Sequence, residues 1–262
     1  MPNIDNRDAE RTDNVVTEPI VRVFPDRVSL GLAAATEIAA EIRDRLSHAE
    51  SVRIIFAAAP SQQEMLDALV AEAGIDWERV TAFHMDEYLG LEEDAPQRFG
   101  TWLRERIFDR LPFKSVHLIR TDGDPHERAN EYARLLDEEP IDICCLGIGV
   151  NGHIAFNDPP VADFADPLAV KVVELDDVCR QQQVDDGCFA SLDEVPTHAI
   201  TLTVPRLLEV DRMFCVVPGA QKAPAVRRAL QGEISEACPA SALRTHHACT
   251  IYLDQDSAHE LS

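Results

Sequence analysis

Ile141-Asp142-Ile143-Cys144-Cys145-Leu146-Gly147-Ile148 is a nearly continuous apolar run of strand length, with none of the alternation shown by a sheet that faces water on one side. Such a run predicts a strand buried on both faces, which is the condition of a parallel sheet with helices above and below it. Outward from this run, the same punctuation repeats in both directions. Strands are expected over residues 20–24, 51–58, 80–84 and 116–119 on one side, and over 169–175, 198–203, 213–217 and 250–253 on the other. Apolar residues at helical spacing predict helices over 30–46, 62–73, 101–111 and 125–136. Repeated β-α alternation predicts the fold class: α/β, an open, doubly wound, mainly parallel, Rossmann-like sheet with helices on both faces. Residues 1–19 are polar and charged without apolar periodicity and read as a flexible tail, leaving 20–262 as a single domain.

Composition narrows the function classes. A net charge of -23 repels nucleic acid and anionic membranes, so neither is an expected partner. No apolar stretch approaches the roughly 20 residues of a spanning helix, and the opening residues have neither the basic start nor the apolar stretch of a secretory signal. Seven cysteines are scattered without metal-type spacing and read as reduced, mostly buried thiols, so the expected location is cytoplasmic. An anionic small substrate would then need a local basic pocket inside an acidic protein.

In doubly wound sheets ligands bind beyond the carboxyl ends of the strands, near the point where strand order switches. The segments after residues 58, 84, 148 and 217 are therefore the places to search. After the third strand comes Phe83-His84-Met85-Asp86-Glu87-Tyr88-Leu89-Gly90-Leu91, whose adjacent carboxylates offer a general base if partly desolvated, or a solvated turn capping a helix. After Ile148 comes Gly149-Val150-Asn151-Gly152-His153-Ile154-Ala155-Phe156-Asn157-Asp158-Pro159-Pro160. Its glycines allow a tight approach to a ligand, and Asn151, His153 and Asp158 are placed to form a hydrogen-bonded relay around one imidazole.

These two segments resemble the two signature stretches of the glucosamine-6-phosphate deaminase/isomerase family. Residues 175–180, 195–201, 219–223, 232–235 and 239–243 extend the resemblance, which spans roughly residues 20–253. It implies an aldose-ketose isomerisation followed by loss of ammonia from an amino-sugar phosphate, with no metal and no organic cofactor. Carried over, Asp86 takes the C2 proton of the open-chain sugar and delivers it to C1, and His153 is the acid/base that opens the ring. Arg180 and Lys222 match positions that grip the phosphate, roles that suit a bidentate guanidinium fork and a point charge. The family contains homo-oligomers and monomers, so a homo-oligomer is possible here.

The sequence departs from the family in three places. The phosphate turn after the second strand reads Ala57-Ala58-Ala59-Pro60-Ser61-Gln62-Gln63-Glu64, without glycine. Ser61 and Glu64 fit a capping box there, while Ser61 and Gln62 are candidate side-chain donors to the substrate. Asn151 stands where many members have Asp, and its oxygen is expected to orient the imidazole. Asp158 replaces the usual Glu and, one methylene shorter, is expected to need a water or a shifted loop to meet His153. Two rival readings remain: a hydrolase of the 6-phosphogluconolactonase type, and a non-catalytic sugar-phosphate-binding protein.

Overall fold

The computed structural model describes residues 18–262, so the tail expected over 1–19 lies outside the described residues except for its last two positions. In chain order the elements are β1 (Ile20–Phe24), α1 (Arg27–His48), β2 (Val52–Phe56), α2 (Gln63–Ala71), β3 (Val80–His84), β4 (Asp86–Tyr88) and α3 (Phe99–Leu103). Then follow β5 (Ser115–His117), α4 (Pro125–Leu136), β6 (Ile143–Leu146), β7 (Val170–Glu174), α5 (Asp177–Asp185), β8 (His198–Leu202) and α6 (Val204–Leu208). The chain ends with β9 (Arg212–Val217), α7 (Ala223–Gln231), β10 (Cys249–Asp254) and α8 (Gln255–Ala258).

Seven strands form one parallel sheet in the order β1-β10-β9-β6-β2-β3-β5. Its central strands are two-faced, as the 141–148 run predicted. Ile143 and Cys145 of β6 join the apolar layer under α1 and α2, while Cys144 and Leu146 join the layer under α4 and α7. β2 divides likewise, with Ile54 and Phe56 on one side and Ile55 on the other. Full burial of side chains of this size contributes about 1.5–3 kcal/mol each.

Local chemistry sets several helix ends. Asp26 caps α1 by accepting from Ser29 N at 2.8 Å, and Asp124 caps α4 by accepting from His126 N and Glu127 N, with Pro125 opening the helix. The capping box expected at Ser61 and Glu64 does not form. Glu64 is drawn away by Arg27, whose Nε lies 2.6 Å from its carboxylate, because an ion pair to α1 outcompetes a hydrogen bond to a turn amide. The helix expected over 101–111 is α3 followed by a π-helical turn, Arg104–Phe108. That turn brings Phe108 against Phe56 and Phe113.

The strands expected over 169–175 and 198–203 form, but outside the main sheet. β7 and β8 pair antiparallel with each other, and β4 pairs antiparallel with β8, aligning Asp86 with Thr201. β4 is absent from the sequence reading because three residues carry no usable periodicity. It arises where the chain turns away from β3, and that turn is held by Tyr132 of α4. The Tyr132 hydroxyl accepts from His84 N at 3.0 Å and donates to His84 O at 2.8 Å. Among the described residues no helix is long and apolar enough to cross a membrane.

Candidate active site

Strand order reverses between β2 and β6: from β2 the chain works outward through β3 and β5, and from β6 through β9 and β10. A narrow cavity of about 60 Å³ opens at this switch point, beyond the carboxyl ends of the strands. It is lined by Ala57–Ala59, Ser61 and Gln62 after β2, by Asp86 after β3, and by Gly147–Gly149 and His153 after β6. Four of the residues singled out in the sequence, Ser61, Gln62, Asp86 and His153, thus share one wall-to-wall space. A larger cleft of about 310 Å³ shares Ala58, Ala59 and Phe99 with it and adds Trp102, Arg106, Gln183 and Asp186.

Asp86 is buried at 6% exposure, at the head of β4. Burial, then the carboxylates of Glu87 and Asp158, push it well above the ordinary carboxylate range. Its neighbour Glu87 serves a different purpose. Fully buried, it accepts from Tyr88 N, Phe99 N and Gly100 N and lies 3.6 Å from Arg98, so it anchors the start of α3. Tyr88, Phe99, Phe156 and Phe189 stack into an aromatic cluster, and Phe99 and Phe156 supply the apolar wall of the cavity. His84, just before Asp86, is a neutral strut: burial lowers it to about 3, and its Nε2 accepts from Ile119 N at 2.8 Å.

His153 Nδ1 lies 2.9 Å from Asp158 Oδ1, so the shorter acid reaches the ring without a water. Of the two routes expected, a water or a shifted loop, the water is not needed. The loop from Gly149 to Asp158 is folded tightly enough by Gly149 N→His153 O and Asn157 N→Ile154 O to bring the two together. Asn151 does not orient the imidazole directly, as expected. Its Oδ1 accepts His153 N at 3.0 Å and its Nδ2 donates to Asp158 Oδ1 at 2.9 Å, because the tight turn carries the amide past the ring to the backbone. Burial works to raise Asp158, but the His153 ring, the Asn151 amide and Asp176 N outweigh it and hold the acid below its ordinary value. The other edge of the ring rests on Gly149, where a Cβ would sit 2.2 Å from Cε1 and Nε2. Ala155, which also lines the cavity, is held at φ 49, a strained left-handed conformation.

The glycine-free turn after β2 needs no glycine, since none of its residues adopts a positive φ. The amides of Ala58 and Ala59 make no hydrogen bond among the described residues. Gln62 is not a free donor: its Nε2 is committed to Ser61 Oγ and Val216 O, both at 3.1 Å, because a fully buried amide must satisfy its hydrogens internally. Its Oε1 is left buried without a partner.

Lys222 ends the short turn after β9, only 4% exposed, and its ammonium makes no hydrogen bond or ion pair among the described residues. Burial lowers it to about 8, against the opposing fields of Asp186 and Cys179. Neither Lys222 nor Arg180 lines the cavity or the adjoining cleft. The Arg180 guanidinium clamps the 192–195 turn through Leu192 O at 2.8 Å and Val195 O at 3.0 Å, and pairs with Asp177 at 3.1 Å. Among the described residues, then, Asp86 and His153 meet, while Arg180 and Lys222 share no contact.

Several supporting residues carried no sequence signal. Gln182 Oε1 accepts Val150 N and Thr201 Oγ1 accepts Phe156 N, fixing the two ends of the His loop; Gln183 lines the adjoining cleft. A glutamine run on a helix reads as a solvated face until the loop that covers it is placed.

Known proteins resemble this chain in sequence and in fold. Residues 25–252 match the family model described as glucosamine-6-phosphate isomerases/6-phosphogluconolactonase. A glucosamine-6-phosphate deaminase from Bacillus cereus is 37% identical over 184 residues, covering 70% of this chain and 68% of that protein. The structure of a monomeric glucosamine-6-phosphate deaminase superposes with a TM-score of 0.84 at 28% identity, over 92% of this chain and 99% of that one. A 6-phosphogluconolactonase from Shewanella baltica shares the fold, with a TM-score of 0.75 at 17% identity over 91% and 98% of the two chains. A match that runs through the sheet and both signature loops places this chain in the glucosamine-6-phosphate isomerase/6-phosphogluconolactonase family.

Proposed function

We propose that the chain converts glucosamine 6-phosphate to fructose 6-phosphate and ammonia, with residues 20–262 acting as one sugar-phosphate domain. The observation that carries this reading is the meeting of Asp86 and His153 in a single cavity at the switch point. His153, set by Asp158 on one edge and Gly149 on the other, moves the proton that opens the pyranose ring. Asp86, whose pKa is raised by burial and by the neighbouring acids, takes the C2 proton and returns it to C1. The resulting ketimine adds water at C2 and releases ammonia, so no oxidant or cofactor is required.

The narrow cavity suits the reacting carbons, and the adjoining cleft suits the remainder of the sugar. Lys222, a buried cation with no protein partner among the described residues, lines neither cavity, but its field links to Asp186 of the adjoining cleft; it is the counter-charge for the phosphate, assisted by the free amides of Ala58 and Ala59 and the Ser61 hydroxyl. Arg180 then acts by holding the segment that follows α5 rather than by touching phosphate.

An assay of ammonia release over glucosamine 6-phosphate, galactosamine 6-phosphate and the unphosphorylated sugars tests the reading. Turnover of a phosphorylated hexosamine supports it. Hydrolysis of 6-phosphogluconolactone without ammonia release replaces it with the lactonase, and tight binding without turnover replaces it with a binding protein. Equal affinity for the sugar and its 6-phosphate removes the phosphate assignment. His153→Gln is expected to lower turnover of cyclic substrate by about 10²–10⁴-fold and to spare open-chain substrate. Equal losses on both forms would take ring opening away from His153.

A further inference from the structure

We propose that His153, Asp158 and Cys179 form a binding site for a soft divalent cation of the zinc type, and that occupancy switches the enzyme off by taking His153 out of acid/base service. One donor atom from each of the three buried side chains lies within 4.8 Å of the others. Tetrahedral zinc holds nitrogen, oxygen and sulfur donors at about 2.0–2.3 Å, so the three donors need to close to roughly 3.3–3.8 Å from one another. His153 Nδ1 and Asp158 Oδ1, at 2.9 Å, are already closer than that. Cys179 supplies the third corner from the first turn of α5, where its side chain is fully buried.

Two further observations point to a ligand. His153 Nδ1 approaches Asp158 Oδ1 off the axis of its own N–H, so this buried nitrogen has no aligned hydrogen-bond partner among the described residues. The surroundings are also anionic: Asp158, Asp86 and Asp176 all bear on Cys179, whose field also reaches the cation Lys222. Imidazole, carboxylate and thiolate form a donor set that selects zinc over calcium or magnesium, which prefer all-oxygen sites.

Binding is balanced by loss of one proton. The Cys179 S–H bond breaks as the sulfur–metal bond forms, the proton leaves to solvent, and neutral His153 keeps its proton on Nε2 while Nδ1 ligates. Thiolate and carboxylate together neutralise the dication, and the fourth position stays open to water. Binding stands on geometry alone; inhibition rests on the role proposed for His153.

The test titrates the purified chain with Co²⁺ as a spectroscopic substitute for Zn²⁺. A thiolate-to-cobalt charge-transfer band with tetrahedral d–d bands is expected, lost in Cys179→Ser and kept in Cys188→Ser, the variant of a partly exposed thiol. In parallel, Zn²⁺ is expected to inhibit ammonia release reversibly by chelator, with about a 100-fold higher zinc requirement in Cys179→Ser and unchanged activity of that variant without metal. No charge-transfer band in the parent chain, or a band that survives Cys179→Ser, overturns the site. A band with the expected dependence but no inhibition overturns the switch and leaves the site standing.

Discussion

Asp86→Asn is expected to lower turnover by about 10²–10⁴-fold, the range over which a positioned general base contributes, without loss of folding. The side chain is isosteric, and the carboxylate it replaces is buried among two other acids, Glu87 and Asp158. Ionised Asp86 is therefore a burden on the fold. A carboxylate whose folded pKa lies above its unfolded value favours folding only while it is protonated, and that contribution is lost as pH rises through the raised value. Asparagine cannot ionise, so the variant should melt at or above the temperature of the parent at neutral and alkaline pH. Turnover of glucosamine 6-phosphate, solvent deuterium entering C1 of the product, and thermal melting together check this. Retained isotope incorporation would remove Asp86 from the proton transfer, while a collapsed melting transition would mean that the acid supports the fold instead.

Lys222→Met is expected to weaken binding of the phosphorylated substrate by about 2–5 kcal/mol, roughly 30- to several-thousand-fold in Kd, with little change for the unphosphorylated sugar. The size follows from burial. An ammonium held at a pKa of about 8, against an ordinary 10.5, costs the folded state about 3 kcal/mol at neutral pH, because desolvation outweighs the fields of Asp186 and Cys179. No protein carboxylate within ion-pair distance offsets that cost among the described residues. Since the folded pKa is depressed, the unfolded chain binds more protons between about pH 8 and 10.5, and this group's penalty fades as pH rises through that window. Methionine keeps the length and removes the charge, so the variant should be more stable than the parent at neutral pH. In the parent enzyme the same loss of phosphate affinity appears by titration, KM climbing as pH passes about 8. A binding series comparing sugar with sugar phosphate, for both chains and across pH, measures it. Unchanged phosphate discrimination in Lys222→Met would move the anion site elsewhere.

Much of this was legible in the residues because it is local or periodic. The 141–148 run announces burial on both faces from composition alone, and the spacing over 125–136, with Asp124 and Pro125 before it, marks α4 to the residue. The two chemistry-bearing loops are also local: a carboxylate pair after β3 and an imidazole between glycines after β6 are unusual whatever surrounds them. Their meeting follows from topology, since a parallel sheet places the ends of neighbouring strands together.

The rest depends on contacts between residues far apart in the chain, which no pattern along the sequence encodes. Arg180 and Lys222 look alike as isolated cations. Only folding commits one guanidinium to the carbonyls of residues 192 and 195 and leaves the ammonium buried without a partner among the described residues. Glu64 looks like a helix cap until Arg27 of α1 arrives beside it, and Cys179 looks like any apolar cysteine until α5 sets its sulfur beside Asp158 and His153. Periodicity reports which faces are buried; which polar groups then compete for one another inside that burial is settled by packing in three dimensions.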